Sequence, residues 1–232
     1  MRGSPQHLAW TVLIASFLVC CALTIGLPTA AWSFINTSTV APAMTIKLQA
    51  GRTIAFCPPN REEDARVVGQ EGRAMEEGCS IIVDNDLQSQ SLLTISSGGS
   101  VTDTLVSLQL YSGARLTIER ARLPRFQDLT NSPAVFLIRL ASGRIQVQHQ
   151  HPPERRVRLV VQTDLATTTL DIGSYSFEVS ADETAISARE GAAWIVSTAE
   201  NKTVILRGDQ RTAVTKDGGL QGILPPARNL II

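Results

Sequence analysis

The chain has 232 residues, with 21 Lys and Arg balanced by 21 Asp and Glu. That balance excludes the general attraction that draws basic proteins to nucleic acid or to anionic surfaces. The chain is rich in Val, Ile, Leu and Thr, only 5% of it is aromatic, and this composition favours strands.

The first element is Leu8 to Leu27, LAWTVLIASFLVCCALTIGL, an uncharged apolar run. About 20 helical residues span the roughly 30 Å hydrocarbon core of a bilayer. No Asp, Glu, Lys or Arg lies between Arg2 and Lys47. The positive-inside rule puts residues 1–7 in the cytoplasm as a short stub and everything after the helix outside. Trp10 and Trp32 fall near the two interfaces, so residues 8–32 are read as a single-pass anchor in the cytoplasmic membrane. A cleaved secretory signal is the competing reading: Pro28 would end the helix, and Thr29-Ala30-Ala31 offers small residues for cleavage. The run is longer than a usual signal core. Both readings export the rest of the chain, so the bilayer is the first expected partner.

Residues 33–43 are small and polar and read as a linker. A β-domain is expected over 44–216, with a tail over 217–232. Thr45 to Leu48 and Thr53 to Cys57 read as strands, and Pro58-Pro59-Asn60 breaks the second. Arg61 to Glu77 is charged and aperiodic and reads as an exposed loop. Strands are expected next at Ser80–Val83, Ser91–Ile95, Leu105–Tyr111 and Leu116–Glu119. Arg120 to Asn131 reads as an irregular basic insertion. Ala134–Leu140 and Arg144–Val147 read as two strands joined by a turn at Ser142-Gly143. Further short strands begin at Val157, Thr167, Ser174, Thr184, Ala193, Thr203 and Arg211. This spacing marks an all-β sandwich or solenoid of short antiparallel strands preceded by one transmembrane helix. The tail ends in Leu230-Ile231-Ile232, either a last docking strand or the start of a further segment.

Cys57 and Cys79 are the two cysteines outside the anchor. In an oxidising exterior they read as a disulfide, the alternative being two separate thiols. Cys20 and Cys21 lie mid-anchor as small apolar residues.

Candidate chemistry is sparse. His149 and His151 share a strand face and could both reach one metal ion, with Glu154 nearby. Against this stands the plainer reading of two exposed polar residues, and neither a metal nor another cofactor is expected. Asp171, Glu178, Asp182, Glu183 and Glu190 are scattered among turns and strand faces, where carboxylates solvate a surface or cap turns. No catalytic set is expected, and the chain is read as a non-enzyme. Arg139, Arg144, Arg155, Arg156 and Arg158 make a modest basic patch, read mainly as a charged strand edge. Trp194, Tyr175 and Phe177 are either core or a binding platform, and the low aromatic content favours core.

Several runs in the second half fall in a recognisable order. They are Gly143-Arg144-Ile145-Gln146-Val147, Val160-Val161-Gln162-Thr163, Gly173-Ser174-Tyr175-Ser176-Phe177-Glu178-Val179, Glu190-Gly191-Ala192-Ala193-Trp194-Ile195-Val196 and Leu206-Arg207-Gly208-Asp209-Gln210. Upstream lies Glu76-Glu77-Gly78-Cys79-Ser80-Ile81. The order resembles the FecR domain, an extracytoplasmic all-β domain of bacterial envelope signal transducers. It covers about Met44 to Thr215 and is clearest from Leu140. Gly173 is followed by Ser where the family has Thr. The resemblance implies a sensory or protein-contacting role. The family's transducers carry a cytoplasmic anti-sigma region before the membrane helix, whereas seven residues stand there in this sequence. The expectation is therefore a non-catalytic, membrane-anchored binding, scaffold or sensory protein. Its partner would be another envelope protein or a surface polymer, not nucleic acid. The alternative is a part in FecR-type sigma-factor signalling through a separately encoded partner.

Overall fold

The computed structural model describes residues 5–57, 65–98, 104–126, 128–150, 156–217 and 219–224. It falls into two compact units, one formed by the chain up to Thr39 together with Pro124–Ser132, the other by the remainder.

The first unit is built on one helix, α1 (Pro5–Thr37). It does not stop at Pro28 but runs nine residues further, through the first part of the expected linker. Proline removes only one backbone donor, and in an apolar setting helical hydrogen bonding is the cheapest way to satisfy the remainder. The Thr29 hydroxyl donates to the carbonyl of Ile25 at 2.9 Å. Ala9–Thr37 is long and apolar enough to cross a membrane, and none of its most apolar window is buried.

The second unit is mostly strand. In chain order its elements are β1 (Thr39–Val40), β2 (Ala43–Ala50), β3 (Thr53–Phe56), β4 (Arg66–Val67), β5 (Arg73–Met75) and β6 (Ser80–Val83). Then come β7 (Gln90–Ser96), β8 (Thr104–Tyr111), β9 (Arg115–Pro124), β10 (Ala134–His149), β11 (Val157–Gln162) and β12 (Ala166–Leu170). The last are β13 (Gly173–Val179), β14 (Glu183–Glu190), β15 (Ala192–Ser197), β16 (Thr203–Arg207), β17 (Gln210–Thr215) and β18 (Gly219–Leu220).

Pairing resolves these into two runs. One, sheet I, is β5-β2-β7-β8-β10-β13-β14-β17-β18. The other, sheet II, is β4-β3-β6-β9-β10-β11-β12-β15-β16. Both pass through β10, so they are two faces of one curled, barrel-like sheet. Side chains from both faces meet in one core, including Phe136, Ile138, Leu159 and Val161 from sheet II and Leu108, Leu110, Ile145 and Phe177 from sheet I. Thr53 and Ser91 join the faces through a buried hydroxyl pair 2.6 Å apart.

β10 departs from the expected hairpin. It is one 16-residue strand, buried at Ala134, Phe136, Ile138 and Leu140 and then at Ile145, Val147 and His149. The alternation slips by one between Leu140 and Ile145, because the strand leaves one face there and enters the other. Gly143, at φ +87°, turns the corner. Residues 134–139 pair with β11 in parallel, so the expected all-antiparallel order has an exception. Arg120–Pro124, expected in an irregular insertion, extends β9, and the segment read as an exposed loop before Glu77 contains β4 and β5.

Cys57 and Cys79 are joined as a disulfide, with 4.5 Å between their Cα atoms. The Pro58-Pro59-Asn60 breaker, and the tail beyond Leu224, lie outside the described residues.

Candidate functional site

The outer face of sheet I carries an open groove of about 330 Å³ over β2, β7, β8 and β10. It is lined by Gln49, Gln90, Leu92, Ser107, Gln109, Tyr111, Gln146 and Gln148. Alternation puts them there. Leu108, Leu110, Ile145 and Val147 point into the core, so the residues between them face out. Register then gathers them laterally: Gln146 lies opposite Gln109, Gln109 opposite Leu92, Gln148 opposite Ser107, and Gln90 opposite Tyr111.

The lining holds five glutamines and no charged side chain. Each amide offers one carbonyl acceptor and two N–H donors in a plane. The Gln109 Nε2 donates to Gln49 Oε1, and the Tyr111 hydroxyl donates to Gln146 Oε1 at 3.2 Å. These bonds hold the amides in place while leaving the Gln146 NH₂ and the Gln109 carbonyl oxygen for a ligand. Arg144 stands at one end with its guanidinium carbon 5.1 Å from the centre of the Tyr111 ring. The face therefore presents paired donors and acceptors beside the apolar surfaces of Leu92 and Tyr111.

The residues singled out from sequence are distributed differently. His149 is buried rather than exposed, because the phase slip in β10 turns it inward. Its Nδ1 lies 2.8 Å from the carbonyl oxygen of Asp171. His151, Glu154 and Arg155 lie outside the described residues. Among the described residues no group of three or more His, Cys, Asp or Glu converges. The basic patch is split: Arg139 on sheet II bonds Asp164 at 3.0 Å, whereas Arg144 is on sheet I beyond the corner. The aromatic trio is split too, with Tyr175 and Phe177 in the core and Trp194 exposed on β15.

Tyr175 has a specific role in the core. Its hydroxyl lies 2.9 Å from the carbonyl of Ala192 and 3.1 Å from that of Asp171. Gly191, at φ +86°, makes room for it, since a Cβ there would lie 2.3 Å from the phenol oxygen. Burial, and then the nearby Asp171 charge, push the phenol up to about 12 from 10. An unfolded chain ionises its tyrosines near pH 10, while the folded chain keeps this proton to about 12. The associated stability is therefore complete below pH 10 and is lost as pH rises from 10 to 12. With Tyr111→Phe as background, the tyrosinate absorbance of the remaining tyrosine should rise only near pH 12, with unfolding. A rise near pH 10 in folded protein would contradict this environment.

Sequence reasoning misses the groove. Gln146 and Gln148 are legible as outward residues of a strand, but nothing local places Gln109 and Gln49 beside them.

No protein-family model matches the chain, and no curated protein matches it. Among solved structures, two crystal structures, each described as a "putative anti-sigma factor" from Parabacteroides distasonis ATCC 8503, are similar to it in part. The first has a TM-score of 0.42 and 16% identity over 62% of this chain and 57% of that one. The second has a TM-score of 0.38 and 15% identity over 51% and 50%. This chain therefore spans about half the length of these two chains.

Proposed function

We propose that this chain is a membrane-anchored, non-catalytic binding protein. Its FecR-like β-body stands outside the cytoplasm and holds an uncharged, hydroxyl-rich envelope polymer against the glutamine groove. The observation that carries this reading is the uncharged amide ladder from Gln49 through Gln109 to Gln146 and Gln148. Orientation is supported by Arg2 before the apolar helix and by the absence of Lys and Arg from residues 28–46 after it.

The ligand class comes from the chemistry. The groove lies on inner strands of sheet I, whose backbone groups are already paired with neighbours. A peptide adding as a strand needs a free edge. A polymer lying across the face meets side chains alone. Amides bond hydroxyls as both donors and acceptors, and Tyr111 and Leu92 offer apolar surface to the C–H face of a sugar ring. An acidic polymer would call for cations along the groove, and none is among its lining residues; Arg144 and Lys47, the latter opposite Leu92, stand only at its margin.

The test uses the full chain in nanodiscs and measures retention of neutral envelope polysaccharide. Gln109→Ala with Gln146→Ala removes two amides worth roughly 1 kcal/mol each, so affinity should fall at least tenfold. Unchanged binding by that double variant would sink the proposal. Selective crosslinking of the wild-type chain through the groove to a sigma-regulating membrane protein would replace it with the signalling reading.

A further inference from the structure

The helix is longer than a bilayer needs, and its surplus is structured. At 1.5 Å per residue, the 22 steps from Trp10 to Trp32 cover about 33 Å, close to a hydrocarbon core of about 30 Å. With those indoles at the two interfaces, Phe34 and Asn36 stand about 3 to 6 Å beyond the outer one. Against that last turn packs the segment between β9 and β10. The Phe126 ring lies 5.9 Å from the Phe34 ring. The Thr130 hydroxyl donates to Asn36 Oδ1 at 2.6 Å, and the Arg125 N–H donates to the Ser38 carbonyl at 2.9 Å. The Ser132 hydroxyl donates to the Asn36 carbonyl at 3.3 Å.

These bonds tie the loop to the last turn of the helix, with Phe126 half-buried and Leu129 left exposed. Leu129 is 61% exposed, and on the helix Trp32 is 63% and Phe34 57% exposed. Through the Phe34–Phe126 contact the exposed Leu129 continues the apolar surface of the helix end. Asp128 balances Arg125, whose guanidinium carbon lies 6.0 Å from the Phe126 ring centre, so the patch is apolar rather than electrostatic.

We propose that Phe126 and Leu129 form a second membrane contact, seated with Trp32 and Phe34 in the interfacial zone of the outer leaflet. The occupant is lipid because the patch continues directly from the lipid-facing surface of the helix. The inference rests on the anchor reading and is independent of what the groove binds.

The experiment places an environment-sensitive fluorophore on single cysteines of the full chain. The background is Cys20→Ala with Cys21→Ala, the Cys57–Cys79 pair staying oxidised, in phosphatidylethanolamine–phosphatidylglycerol vesicles. Leu18→Cys reports the mid-span, Leu129→Cys the loop, and Leu87→Cys, at a site 92% exposed, the aqueous reference. Shallow nitroxide lipids should quench the Leu129 label several-fold more strongly than aqueous iodide does. Deep nitroxides should quench the Leu18 label, and iodide the Leu87 label. A Leu129 label as open to iodide as Leu87, with Leu18 still deep, would overturn the loop contact alone. Iodide access at both Leu18 and Leu129 would overturn it together with the anchor. Loss of polysaccharide binding with Leu129 still shallow would bear on the groove and leave this contact standing.

Discussion

Gly143→Ala is expected to destabilise the β-body by about 3 kcal/mol, combining a left-handed backbone cost of about 1–2 with overpacking of about 1–3. The backbone there is at φ +87°, and an added Cβ would lie 2.4 Å from Ala114 Cα and 2.5 Å from Ala114 N. Both are backbone atoms, so no rotamer change relieves the clash. What must move is the corner at which β10 leaves β9 and β11 for β8 and β13. For a body of this size the melting temperature should drop by roughly 10 °C. Gly69→Ala is the control, since a Cβ there meets nothing within 4 Å. Calorimetry of the two variants decides the matter: if Gly143→Ala melts with the wild type, the corner is not held as described.

Breaking the Cys57–Cys79 bond is expected to cost about 3 kcal/mol, the loop-closure value for a ring of this size. The bonded cysteines are 22 residues apart. Among its described residues the enclosed segment contributes β4 and β5, of two and three residues, to the sheets. Such short strands return little of the entropy that ordering their loop consumes, so the crosslink matters more than it would across long strands. Urea denaturation of the chain with and without reductant measures the difference. Thiol quantification of the unreduced protein should find only Cys20 and Cys21. Four titratable thiols in fully denatured, unreduced protein would show that no bridge forms.

The hydropathy run that makes α1 apolar, the alternation that makes β7, β8 and β13 strands, and the glycines that open their turns are properties of neighbours along the chain. They are legible in the sequence for that reason. So is the mostly-β class, since Val, Ile, Leu and Thr in period two leave little else to build. The β10 corner is half legible. The buried phase moves from even to odd numbers between Leu140 and Ile145, and a Gly lies between them. The same marks also describe a hairpin turn, and only the strands waiting on either side distinguish the two. His149 follows the same slip inward, against its reading as a surface residue. Pro28 misleads because helix continuation past a proline depends on what surrounds the remaining backbone groups. The glutamine groove is least legible. Gln49, Gln109 and Gln146 are far apart in sequence, and each looks like an ordinary outward residue of its own strand. Their meeting depends on which strands lie side by side and in what register, and that is decided by how the two faces close over a shared core. Chain order was enough to specify an apolar helix and a β-body after it; the corner, the parallel pair and the glutamine face came only with the tertiary fold. Hydropathy and turn chemistry act between near neighbours, whereas lateral pairing is chosen by burial summed over the whole sheet.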